Sequence, residues 1–205
     1  MSFINANFEG FKTVVKEMQN EIATLKREQL RTRKDCTDLY NQLSETRKEL
    51  IELKQYSRRS NIEIKGVPLS PTESLDEIIV NIGEKLRTTI ASQDIDAIHR
   101  VPTKDKTKSN IIVRFFADFV RDGVLQAAKK QRLNAAALGF PTNEPIYINE
   151  HLCVENKILL GKALQLKREK SWKYTWTSRG RILMRKAENS KVFQITCDDD
   201  LVQIV

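Results

Sequence analysis

The chain has 205 residues, 40% of them hydrophobic and 30% charged, with seven glycines and a formal net charge of +8. One compact domain plus a solvated helical extension fits that composition better than two full domains, and the positive balance favours an anionic partner, nucleic acid or a membrane surface. No run approaches the ~18 uncharged apolar residues of a membrane span, and "MSFINANFEGFKTVV" lacks the basic start and unbroken apolar stretch of a signal peptide, so no membrane insertion and a cytoplasmic or nuclear location are expected.

The first element is a heptad helix. Alternating steps of three and four residues connect Phe8, Phe11, Val15, Met18, Ile22, Leu25, Gln29, Thr32, Cys36, Leu39, Leu43, Thr46, Leu50 and Leu53 without a proline. That period predicts a coiled coil over residues 1–56, with the apolar members of the series as its oligomerisation contacts. With Phe8, Val15, Ile22, Gln29, Cys36, Leu43 and Leu50 at the a positions, a parallel homo-oligomer pairs Glu21 with Lys26, Glu28 with Arg33 and Glu49 with Lys54. An antiparallel pair would oppose like charges. Each exposed pair is worth only ~0.2–1 kcal/mol and acts on orientation. Val15, Ile22 and Leu25 lean towards a dimer, whereas the Gln29–Thr32 layer and the Phe layer leave dimer and trimer both open. The competing reading is one long helix folded back on the rest of the chain.

After the junction residues Arg58 and Arg59, the period changes to two. "NIEIKGV" alternates Ile62 and Ile64 inward with Glu63 and Lys65 outward, and Gly66 and Pro68 close the strand. "SPTESLDEIIVNIGEKLRTTI" carries Leu75, Ile78, Ile79, Ile82 and Leu86 on one helical face behind Ser/Thr caps. Strands "DIDAIHRV" and "SNIIVRFF" flank the polar loop "PTKDKTK". "ADFVRDGVLQAAKKQRL" reads as a second helix with Phe119, Val124, Leu125 and Ala128 towards the core, and "PIYIN" as a fourth strand. The order βαββαβ over 57–149 is that of the RNA-recognition motif and of ferredoxin-like folds. Its base-stacking aromatics are missing, however: the outward positions hold Asn110, Ile112 and Glu63, and an exposed glutamate would repel phosphate. Any nucleic acid must be held elsewhere.

The segment 150–205 reads as a helix "EHLCVENKILLGKALQLKREK", strands "WKYTWT", "RILMRK" and "KVFQIT" around a turn at "SRG", and a last acidic-capped turn "DDDLVQIV". Between Lys162 and Lys191 ten basic residues face two acidic ones, a net +8 that equals that of the whole chain. Trp172, Tyr174 and Trp176 alternate on one strand face, where packing against the preceding helix is the default and one ring at a groove edge could stack on a base. The basic residues expected to neutralise phosphates are Arg58, Arg59, Lys108, Lys129, Lys130, Arg132, Lys167, Arg168, Lys173, Arg179, Arg181 and Arg185. A solvated face is the competing reading of such clusters.

Catalysis is not expected. His99 and His151 are the only histidines, and no P-loop, GxSxG or HExxH occurs. The scattered Cys36, Cys153 and Cys197 indicate neither a disulfide framework nor a zinc site, so no metal or cofactor is expected. His151 is expected at a helix start and His99 on a partly exposed strand.

"RRSNIEIKGVP", "HRVP", "IIVRF", "VLQAAKK", "IYINEHL" and "WTSRGRILMRK" together resemble the first-open-reading-frame proteins of LINE-type retrotransposons, insect ones among them, and the related baculovirus few-polyhedra protein. The resemblance implies an α+β chain: a parallel coiled coil, usually trimeric, a degenerate RNA-recognition-motif-like domain and a small helix-plus-hairpin C-terminal domain. It further implies single-stranded RNA or DNA held in a basic cleft between the last two domains, with coating and strand annealing in the retroelement branch. Lys129 then stands where many retroelement members have Arg, Lys108 at or near the basic residue opening "IIVRF", and Arg179, Arg181 and Arg185 on the hairpin of the viral and insect branch. The chain lacks the zinc finger or long disordered extension common in retroelement members. A non-catalytic, self-associating binder of single-stranded nucleic acid is expected, with a viral-type scaffold contacting protein or membrane as the alternative.

Overall fold

A computed structural model describes residues 2–103 and 109–204, with side chains of the first helix from residue 8 onward. The chain forms two compact units, Met1–Leu50 and Ile51–Val205.

Helix α1, Ser2–Tyr56, is unbroken over 55 residues. The apolar series from Phe8 to Leu53 lies on it without cover from its own chain: Val15 is half-buried, while Phe8, Phe11, Met18, Ile22, Leu25, Leu39, Leu43, Leu50 and Leu53 are all exposed.

The second unit contains β1 (Asn61–Lys65), α2 (Leu75–Lys85), β2 (Ile95–Pro102), β3 (Ser109–Phe115), α3 (Asp118–Lys130), β4 (Leu133–Asn134), β5 (Pro145–Glu150), α4 (Val154–Glu169), β6 (Tyr174–Ser178), β7 (Arg181–Arg185), β8 (Val192–Ile195) and α5 (Asp198–Gln203). Two antiparallel sheets result, one in the order β2-β3-β1-β5-β4 and one in the order β6-β7-β8. The period-two segments thus pair as strands; the two-residue β4, which no alternation announces, adds an edge to the first sheet.

Each sheet has its own core. Ile62 and Ile64 of β1, Ile111, Val113 and Phe115 of β3, Ile79 and Ile82 of α2, and Val124 and Leu125 of α3 form the first. Helix α2 starts behind Ser74, whose side chain accepts from Glu77 N–H, one of the four donors a helix start leaves free. In the second core, Leu159 and Ala163 of α4 pack with Trp172, Ile182, Met184 and Ile195. Among the described residues no helix is long and apolar enough to cross a membrane.

Several residues sit differently from the sequence expectation. Phe119 is 78% exposed. The buried arc of α3 is Val120, Arg121, Val124 and Leu125, and 100° per residue puts Phe119 almost opposite its centre. The helix expected from Glu150 begins at Val154, because β5 still pairs Glu150 with Ile62 and His151 N–H donates to Asn61 O. His151 therefore belongs to the β5–α4 junction, not to a helix start. Glu63 and Ile112, expected to face solvent, are 4% and 2% exposed. Trp172 precedes β6 and is buried edge-on against Phe193, with ring centroids 5.8 Å apart. It does not share a strand face with Tyr174 and Trp176.

Candidate nucleic-acid interface

At the centre of the first sheet's face where a base-stacking platform would lie, Glu63 and Ile112 are buried, while Tyr147 on the same face is exposed. Lys157, one turn into α4, places Nζ 2.8 Å from Glu63 Oε1, and Asn110 Nδ2 donates to the same oxygen at 2.9 Å. Burial alone would raise the Glu63 pKa, but the hydrogen bond from Lys157 and the charges of Lys65 and Lys157 outweigh it and hold the carboxyl below its ordinary value. Beside this pair, Asn61 Nδ2 donates to His151 Nδ1 at 3.2 Å. Burial first and Lys157 second push the His151 pKa down to about 4, against the opposing pull of Glu63, so the ring is neutral at pH 7.

The junction arginines are engaged locally. Arg58 Nη1 donates to Lys54 O at 2.5 Å, while Arg59 bonds the Tyr56 hydroxyl, lies 4.4 Å from the centre of its ring and pairs with Asp118 at 3.7 Å. Lys54 is bound to Glu155 at 2.5 Å. Gln55 accepts from Cys153 N–H at 3.0 Å and Asn156 Nδ2 at 3.1 Å and donates to His151 O at 3.1 Å. The end of α1 is thereby tied to the β5–α4 junction through Gln55 and Lys54, while Arg58 bonds back to the last turn of α1 and Arg59 to Tyr56 and Asp118.

Sequence reasoning also missed Arg121, Glu150 and Arg100. Arg121 is 5% exposed, donates to Arg59 O and to Asp122 at 2.5 Å, and lies 3.8 Å from Glu150. The Glu150 carboxylate in turn accepts from Arg179 N–H at 2.7 Å and Gly180 N–H at 2.9 Å. These two residues, with φ of 52° and 77°, form the two-residue turn between β6 and β7. Positive φ at both centres is the type I′ geometry that matches strand twist, and it is unfavourable for an arginine without such an anchor. Arg100, inside the "HRVP" motif, grips Glu73 through two bonds of 2.6 and 2.5 Å and also donates to Val67 O, Pro68 O and Ser109, so it clamps the loop after β1. No spacing in the sequence links these partners.

Of the expected phosphate contacts, Arg58, Lys129, Lys130, Arg132, Lys167, Arg168, Arg179, Arg181 and Arg185 form no ion pair among the described residues, whereas Lys173 pairs with Glu188 at 3.1 Å and Arg59 with Asp118. Lys108 and the loop residues 104–108 lie outside the described residues. Lys129 and Lys130 are exposed in the last turn of α3 with Arg132 just beyond it, and no described bond joins them to the hairpin. Lys167 and Arg185 do come together. With Tyr174, Thr175, Trp176 and Val192 they line an open depression of about 310 Å³. A second depression, about 270 Å³ on α2, is lined by Asp76, Glu77 and Glu84 with Val80, Asn81 and Ser92, and its charge opposes any polyanion. Among the described residues no group of three or more His, Cys, Asp or Glu could hold a metal ion, and the three cysteines are free thiols.

Residues 153–205, which include α4, the second sheet and α5, match the family model of baculovirus FP protein domain 2. The C-terminal part of the chain is therefore similar to the few-polyhedra family. No curated protein matches the chain, and the family match names the baculovirus branch alone.

Proposed function

We propose that the chain is a self-associating, non-catalytic protein that binds single-stranded nucleic acid, RNA above all, and coats or chaperones it in a ribonucleoprotein of the cytoplasm or nucleus. The observation that carries this reading is that, among the described residues, Lys129, Lys130 and Arg132 at the end of α3, Lys167 and Arg168 on α4, and Arg179, Arg181 and Arg185 on the β6–β7 hairpin form no ion pair. A cation already neutralised by its own chain releases no counterion on binding phosphate, whereas an unpaired one does. The first sheet's order, β2-β3-β1-β5, with α2 and α3 in the crossovers, supports a degenerate RNA-recognition-motif-like reading of that domain. The uncovered apolar series on α1 supports a parallel coiled coil, dimeric or trimeric, and several weak sites on one oligomer add avidity.

Titrating labelled single-stranded RNA with the full chain, with Arg181→Gln/Arg185→Gln and with Lys173→Gln tests the reading. Removing two unpaired cations should lower affinity for all sequences alike and reduce the salt slope by about 1.4, at roughly 0.7 per phosphate contact. Removing the paired Lys173 should do much less. Equal effects from both variants would refute it.

A second reading is a viral-type morphogenesis scaffold whose basic head meets protein or membrane surfaces; the match of 153–205 to the baculovirus family favours it. Partner binding with no affinity for nucleic acid would establish it instead.

A further inference from the structure

In the second sheet, side-chain parity separates two faces. Ile182 and Met184 of β7 are 1% and 0% exposed and belong to the core under α4, so the alternate residues of β7, Arg181, Leu183 and Arg185, point the other way. Directly opposite residues of antiparallel strands share a face. Tyr174 pairs with Arg185, which pairs with Val192, and Trp176 pairs with Leu183. The outer face thus carries Trp176 two residues from Tyr174 on one strand, with Arg185 beside them on the central strand, and none of the three is buried.

The details suit a flat, anionic ligand. The Arg185 guanidinium lies 4.6 Å from the centre of the Tyr174 ring, an arrangement that orients the planar cation without neutralising it. Lys173 lies 5.2 Å from the same ring, and its hydrogen bond draws the Tyr174 phenol below its ordinary pKa. Lys167 completes the wall of the depression, and neither it nor Arg185 has an acidic partner among the described residues. Trp176 has no ring partner there either. Aromatic rings interleaved with unpaired cations on an open sheet form the stacking platform of single-strand binders: the π-face takes any base and the cations take the backbone.

We propose that the outer face of β6-β7-β8 is a base-stacking subsite, with Trp176 holding an unpaired nucleobase and Lys167 and Arg185 its neighbouring phosphates. The proposal rests on the single-stranded nucleic-acid reading and adds to it the atoms that engage a base. The charge complementarity of Lys167 and Arg185 with phosphate selects this occupant over an apolar peptide or a second copy of the chain.

The test compares an unstructured oligothymidylate with an abasic oligonucleotide of the same length, so that phosphates are equal and only bases differ. The full-length chain should bind the base-bearing strand at least about fivefold more tightly, the lower bound for one stacked base. Trp176→Leu should lose that ratio while keeping its affinity for the abasic strand; Trp176→Phe should restore it. A ratio unchanged in Trp176→Leu would overturn the subsite and leave nucleic-acid binding standing. No affinity for either strand would overturn both. Loss of binding to acidic phospholipid vesicles, or of self-association, in Trp176→Leu with an intact strand ratio would assign the face to a membrane or to a second copy and overturn the subsite as well.

Discussion

On the five-stranded sheet, Lys157 of α4 and Asn110 both bond the buried Glu63, whereas on the three-stranded sheet the half-buried Tyr174, Trp176 and Arg185 line an open depression on the face away from the core. One helix accounts for both. The first turn of α4 closes the first sheet with Lys157, while Leu159 and Ala163 along the same helix build the core beneath the second. A sheet that looks ready to bind, by strand order alone, has the centre of that face covered at Glu63 while Tyr147 on the same face stays exposed, and the smaller sheet sets Tyr174, Trp176 and Arg185 together on its outer face. Strand topology therefore locates neither face; what covers each one does.

If the closed face is held by its ion pair, Lys157→Met should produce the largest effect. It leaves Glu63 buried with only Asn110 and a 3.7 Å contact to Lys65. A loss of about 2 kcal/mol in urea unfolding is expected, below the 3–5 kcal/mol of a fully buried pair because Lys157 is 38% exposed. The double variant Glu63→Leu/Lys157→Met should return to within about 1 kcal/mol of the original. A silent Lys157→Met would mean that the face is not held this way.

The closed face also sets a pH dependence. His151 has a folded pKa of about 4 against an ordinary 6.5. Between those values the unfolded chain binds a proton that the folded one refuses, so stability rises with pH and is lost on acidification through this window. A loss of about 2 kcal/mol from pH 7 to pH 4 is expected, allowing for the ring's partial exposure. His151→Asn should flatten it. A slope unchanged in that variant would place the titration elsewhere.

Near the open face, Gly180→Ala tests the hairpin that presents it. A Cβ there would lie 2.7 Å from Gln55 Cγ at a φ of +77°, so about 1–2 kcal/mol of destabilisation is expected from the backbone and the displaced side chain. Smallest of all should be Trp176→Leu, within about 0.5 kcal/mol in thermal or urea unfolding, because nothing in the core depends on it. A large loss there would make Trp176 structural and erase the contrast between the two faces.

Much of this architecture could be read from local patterns. Ile62 and Ile64 announce β1, Ile79 and Ile82 with Ser74 announce α2, and the turn residues "SRG" separate β6 from β7, because each signal lies within a few residues of its effect. The occupancy of the faces could not. Glu63 reads as an outward residue until Lys157, 94 positions away, is brought to it. Arg179 at positive φ makes sense only with Glu150 beneath the turn. The bonds of Arg58 to Lys54 O and of Arg59 to Tyr56 and Asp118 likewise join residues that no local pattern pairs. The outward direction of Trp176 follows from β7 parity, which period two could have supplied once Ile182 and Met184 were assigned to the core. Trp172, two residues before the strand, obscured it.

In the proposed function, cations without an ion pair among the described residues hold single-stranded nucleic acid. Fluorescence anisotropy of the full chain with a labelled single-stranded RNA and with a duplex of equal length, over a salt series, tests it most directly. Tighter binding of the single strand and a linear fall of log K with log salt, at roughly 0.7 per neutralised phosphate, are expected. No binding of the single strand at low salt, or an affinity that salt does not change, would contradict it.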